Sequence, residues 1–113
     1  MGERKKTPEK VVQDAVIEHL RISGWLVQRN QQAMGNTKGR PDLEAVKKFK
    51  GLGVTIYVEC KAPRGRLSER QLEYIRGLRA EGALVSVCKS IEEFINDLAL
   101  IEYKIRERMA WLR

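Results

Sequence analysis

Residues 54–61 alternate strictly: Val54, Ile56, Val58 and Cys60 supply one apolar side, and Thr55, Tyr57, Glu59 and Lys61 a more polar one. A period of two is the mark of a strand with one face buried, so this segment commits the chain to a sheet with a layer packed against it. It closes on Glu59-Cys60-Lys61, which sends Glu59 and Lys61 to one side and Cys60 to the other. Seventeen positions earlier Asp42 follows Pro41 at the start of a second apolar stretch, Leu43 to Phe49. Two such strands meeting like a hairpin bring both acids to the same edge.

An acid, a gap and then acid-x-lysine is what metal-assisted cutting of a phosphodiester requires. Two carboxylates can hold a hard divalent cation through oxygen. A lysine beside the second acid can position water or stabilise charge building at phosphorus. The ordinary lysine pKa, near 10.4, suits Lys61 to charge stabilisation better than to proton abstraction. Taken alone, an acid-x-lysine on a strand is ordinarily a solvated ion pair, and Pro-Asp is ordinarily a turn dipeptide. The shared edge is what gives the pair weight.

The chain has 113 residues, 42% hydrophobic and 33% charged, which suits one folded domain over residues 1–113 and excludes a disordered chain. No apolar run nears the roughly 20 residues that span a bilayer. The basic stretch from Met1 to Lys6 has no apolar segment behind it, so neither a membrane partner nor a signal peptide is expected. Cys60 and Cys88 lie in apolar, strand-like segments and read as reduced core residues of a cytoplasmic protein. His19 stands alone, and no serine or cysteine is paired to a base, so hydrolase triads and zinc sites are set aside.

Net charge is +7, from 22 Lys+Arg against 15 Asp+Glu, which favours a polyanionic partner, most simply nucleic acid. Lys38 and Arg40 flank the first acid, Lys47, Lys48 and Lys50 follow it, and Lys61, Arg64, Arg66 and Arg70 accompany the second. Lys38, Arg40, Arg64, Arg66 and Arg70 are the expected phosphate contacts; merely solubilising surface charge is the alternative. No recognition helix or zinc signature is present, so selectivity would come from DNA shape.

Thr7-Pro8-Glu9 reads as a helix start, with Thr as N-cap and Pro at the first helical position. The stripe Val12, Ala15, Val16, Leu20 follows, and Gly24 ends the helix. Trp25 to Arg29 is a short strand, residues 31–39 a polar loop, Leu43 to Phe49 a second strand, and 50–53 a turn into a third strand over 54–61. Ser68 and Gln71 are spaced as a capping box, with Leu67 and Leu72 as its hydrophobic staple. Gly82 ends that helix, Ala83 to Cys88 is a fourth strand, and Ser90-Ile91-Glu92-Glu93 is a capping box opening a last helix. The order α-β-β-β-α-β-α describes an α/β sandwich on a small mixed sheet. Phe94, Leu98, Ile101, Ile105, Met109 and Leu112 stripe the last helix, either as core or, with Trp111, as a subunit interface.

Glu9 to Gln13, Gly24, Gly39-Arg40-Pro41-Asp42, Val58-Glu59-Cys60-Lys61, Leu67-Ser68 through Gln71, Gly82 and Ser90 to Glu93 together resemble the PD-(D/E)XK nuclease superfamily. Within it they are most similar to the stand-alone virus-type replication-repair nuclease domain, VRR-NUC. The resemblance covers about residues 9 to 98. It implies a restriction-endonuclease-like αβββαβ core and a Mg²⁺- or Mn²⁺-dependent DNA nuclease without organic cofactor. Such enzymes act on branched DNA, including Holliday junctions, often as homodimers. Position by position, it makes Asp42, Glu59 and the Cys60 carbonyl metal ligands and Lys61 the residue that orients the attacking water. Gln71 matches a further catalytic position, and Glu9 matches the first-helix acid as a further metal ligand. Each has a second explanation: Gln71 as the partner of Ser68, and Glu9 as an acid suited to the helix dipole. The rival from another class is a catalytically silent DNA-binding module or regulatory subunit of a repair complex, and an RNA-directed nuclease also fits the residues.

Overall fold

The computed structural model describes residues 5–30 and 39–112. Lys38, with residues 31–38 of the polar loop, lies outside the described residues. Three helices and four strands follow in the order α1 (Pro8–Ile22), β1 (Leu26–Arg29), β2 (Leu43–Phe49), β3 (Leu52–Cys60), α2 (Glu69–Ala80), β4 (Leu84–Cys88) and α3 (Ile91–Arg108). The sheet order is β1-β2-β3-β4. β1 and β3 run antiparallel to β2, while β4 runs parallel to β3. A parallel pair needs a crossover, and α2 supplies it. The result is the expected mixed sheet flanked by helices.

Local chemistry sets the boundaries. The Thr7 side chain accepts from the Lys10 N–H at 3.2 Å with Pro8 in the first turn, and Gly24, at φ 89°, turns the chain out after Ser23. The β2–β3 turn is tighter than expected. Lys50 (φ 49°) and Gly51 (φ 83°) both adopt left-handed backbone, which makes a two-residue hairpin turn matched to strand twist. β3 therefore begins at Leu52, paired with Phe49, and not at 54. Its last strand residue is Cys60, although the Lys61 N–H still donates to the Cys88 carbonyl at 2.9 Å.

The core lies on one side of the sheet. Val12, Val16, Ile17 and Leu20 of α1 and Phe94, Leu98, Ile101 and Ile105 of α3 pack with Leu43, Ala45, Ile56, Val58, Cys60 and Cys88. Ile17 is buried where the expected stripe placed Ala15, which is half-buried. Phe94, Leu98, Ile101 and Ile105 of the α3 stripe are core, whereas Met109 and Leu112 lie past the end of the helix and are half-buried, and Trp111 is 77% exposed. Cys60 and Cys88 are free and buried, their sulfurs 3.8 Å apart. Among the described residues no helix is long and apolar enough to cross a membrane.

At the start of α3 the Ser90 hydroxyl accepts from the Glu93 N–H at 3.1 Å. The Glu93 carboxylate takes the Lys89 N–H at 2.7 Å rather than that of Ser90, so the expected reciprocal box is shifted by one residue. At α2 the box is complete.

Candidate active site

Antiparallel pairing sets Leu43 opposite Val58, which places Asp42 beside Glu59 at the open end of the hairpin. The contact is reciprocal. The Asp42 N–H donates to Glu59 Oε1 at 3.2 Å, and the Cys60 N–H donates to Asp42 Oδ2 at 3.1 Å. Each acid is thus oriented by the other strand's backbone, while the Cys60 thiol stays in the core.

Alternation put Glu59 on the polar side, yet it is only 1% exposed. Its cover comes from the second sheet face, where α2 brings Gln71. One side chain does two jobs there. Gln71 Oε1 accepts from the Ser68 N–H at 2.9 Å, completing the helix cap, and Gln71 Nε2 donates to Glu59 Oε2 at 3.2 Å. Lys61 Nζ stands 3.6 Å from the same Oε2 and 3.7 Å from Glu9 Oε1. The two explanations for Gln71 are therefore both realised as contacts. Glu9 reaches the group through Lys61, and among the described residues no three metal-ligating side chains converge.

Burying two carboxylates together disfavours their ionised forms. Burial raises the Asp42 carboxyl, against the Cys60 N–H that favours its charge. Burial, followed by the neighbouring Asp42 charge, pushes Glu59 up to about 8, with Lys61 pulling it the other way. Hard oxygen donors held side by side at such a cost fit a divalent cation, whose charge would relieve the repulsion that a proton otherwise relieves. The Cys60 thiol is pushed up by its contact with Cys88 and by burial, so it stays protonated and outside this chemistry.

The expected phosphate contacts separate into two groups. Arg40 is committed to Glu44, its Nε 3.1 Å from Glu44 Oε1 and its Nη2 bonded to the same oxygen. Arg64, Arg66 and Arg70 are exposed, following Lys61 through a turn closed by the Gly65 N–H on the Ala62 carbonyl at 2.8 Å. Gly39 joins the Asp42 segment to α2: at φ 87°, an added Cβ would lie 2.6 Å from the Arg70 carbonyl oxygen. Glu44 and Asn30, which hold this segment, carry no motif; the four-residue spacing from Arg40 to Glu44 was the one available signal. His19 meets Phe94 edge-on, with ring centroids 6.1 Å apart, a packing role.

A mixed sheet flanked by helices, with two acids and a lysine at the open end of one hairpin, defines a restriction-endonuclease-like domain of the nuclease type. The chain belongs to the VRR-NUC domain family, which matches residues 2–92 of its 113. Searches of curated proteins and of solved structures returned no match.

Proposed function

We propose that residues 1–113 form one nuclease domain that hydrolyses phosphodiester bonds in branched DNA, such as Holliday junctions, with Mg²⁺ or Mn²⁺. The observation that carries this reading is the buried, mutually hydrogen-bonded pair of Asp42 and Glu59 with Lys61 beside it. Asp42, Glu59 and the Cys60 carbonyl would hold the ion, with Glu9 beyond Lys61. Such an ion, when bound, supplies a lowered water pKa and neutralises charge on the phosphate oxygens. Lys61 positions water and offers positive charge to the developing oxyanion. Gln71 holds the Glu59 carboxylate in place. Arg64, Arg66 and Arg70 engage backbone phosphates without regard to sequence, so affinity falls steeply with salt. Two copies on a symmetric dimer suit a substrate in which two strands are cut, and the exposed Ile95, Leu100 and Tyr103 on α3 are candidate contacts for a second copy. The protein acts in the cytoplasm.

The test is incubation with Mg²⁺ and a panel of branched, flap, nicked and linear DNA. Wild-type protein cuts branched DNA, while Asp42→Ala and Glu59→Ala lose cleavage by roughly a thousandfold or more and keep DNA binding. Cleavage by either variant at the wild-type rate removes this assignment. Binding without products from the wild type favours the silent module instead.

A further inference from the structure

Asp42 is the first acid of the site, yet it precedes β2 and belongs to no regular element. Something must hold its backbone, and Asn30, the first residue past β1, does so twice. The Asn30 N–H donates to the Asp42 carbonyl at 2.7 Å, extending the β1–β2 ladder beyond Arg29 and Leu43. The Asn30 side chain donates from Nδ2 to the Pro41 carbonyl at 2.8 Å and lies 3.4 Å from Glu44 Oε1. Both side-chain neighbours are acceptors, which settles which end of the amide faces them.

The Pro41 carbonyl and the Asp42 N–H belong to one planar peptide unit. Asn30 holds its oxygen, and its N–H points the other way, onto Glu59 Oε1 at 3.2 Å. Pro41 is fully buried, and among the described residues the hydrogen bonds on this plane are the one from Asn30 to its oxygen and the one from its N–H to Glu59. Hydrogen bonds in such a chain polarise one another, so a donor at the carbonyl strengthens the N–H on the carboxylate. We infer that Asn30 is a positioning residue of the metal site: through the Pro41–Asp42 peptide plane it sets how Glu59 is turned relative to Asp42. This inference rests on the metal-dependent reading above. Asn30 touches neither metal nor substrate.

The test measures Mn²⁺ binding by calorimetry without DNA, for wild type, Asn30→Asp, Asn30→Ala, Asn30→Gln and Asp42→Ala. Asn30→Asp keeps size and loses the side-chain Nδ2 donor, and Asn30→Ala loses it without adding charge, while the backbone N–H on the Asp42 carbonyl remains in both. Both weaken Mn²⁺ binding by about tenfold or more, the scale set by residues that orient metal ligands. Asn30→Gln, which keeps an amide, recovers part of the loss. The Mn²⁺ concentration for half-maximal cleavage rises in parallel, whereas the rate at saturating Mn²⁺ and metal-free DNA affinity stay within about threefold. A merely structural role would lower the unfolding midpoint without this split. Should Asn30→Asp fail to fold, Asn30→Ala carries the comparison. Mn²⁺ affinity within twofold of wild type in the folded Asn30 variants, alongside its loss in Asp42→Ala, overturns this inference and leaves the nuclease reading standing. Unchanged affinity in Asp42→Ala overturns both.

Discussion

At the turn end of the β2–β3 hairpin, Lys47 donates to the Ser23 carbonyl at 2.6 Å, and Lys50 donates to the Met109 and Leu112 carbonyls at 2.8 Å each. These cations sit on carbonyls at the C-caps of α1 and α3 and, at Leu112, just beyond α3, near the ends where helix dipoles present negative charge. At the open end, Asp42 and Glu59 are buried against each other, and both hold protons more tightly than free carboxylic acids do. The same two strands thus settle charge at one end and concentrate it at the other. The difference separates the end that ties the sheet to its helices from the end that carries the proposed site.

The largest effect that sharpens this contrast is a pH dependence confined to the open end. Glu59 ionises near 4.5 when unfolded and near 8 when folded, so the folded state binds more protons between those values. Stability of the metal-free protein therefore falls as pH rises through this window, on the order of a few kcal/mol. Asp42 shifts in the same direction, while Asp14, held near 2 by Lys6 and Lys10, changes charge below the window. Thermal unfolding across pH 4–9 measures it: Glu59→Gln flattens the slope, and Mg²⁺ opposes the loss at high pH. A slope unchanged in Glu59→Gln would detach the effect from this residue.

Two glycines compare the ends next. Gly39 and Gly51 both have positive φ, but only Gly39 lacks room, with the Arg70 carbonyl 2.6 Å from an added Cβ, while nothing lies within 4 Å at Gly51. Gly39→Ala costs about 2–3 kcal/mol and lowers cleavage, because α2 and the Asp42 segment must separate. Gly51→Ala costs about 1 kcal/mol and leaves cleavage intact. Denaturant titration and cleavage assays of the two variants, side by side, decide; equal loss of activity would show that the hairpin ends are coupled. The smallest effect is Lys50→Ala, which removes exposed bonds to helix-end carbonyls and costs about 0.5–1 kcal/mol without changing cleavage.

Patterns with a local cause were legible in the sequence. β2 is expected and found over Leu43–Phe49, and Thr7, Ser68 and Gly24 mark helix ends by side-chain or backbone chemistry that acts within a few residues. The juxtaposition of Asp42 and Glu59 was legible too, because a hairpin aligns its own ends. The burial of Glu59 was not, since alternation reports which side a residue faces and not whether a helix lands on that side. The start of β3 at Leu52 was not legible, because it follows from the left-handed backbone of Lys50, which no periodicity announces. The place of Asn30 opposite Asp42 was not legible, because it arises from strand register, a relation between distant segments.

Gln71 spends one end of its amide on the first turn of α2 and the other on the Glu59 carboxylate. Fraying of that turn therefore removes one of the donors that hold the acid, leaving the Asp42 N–H and Lys61. Whatever steadies the start of α2, a docked strand of nucleic acid included, also steadies the Glu59 carboxylate.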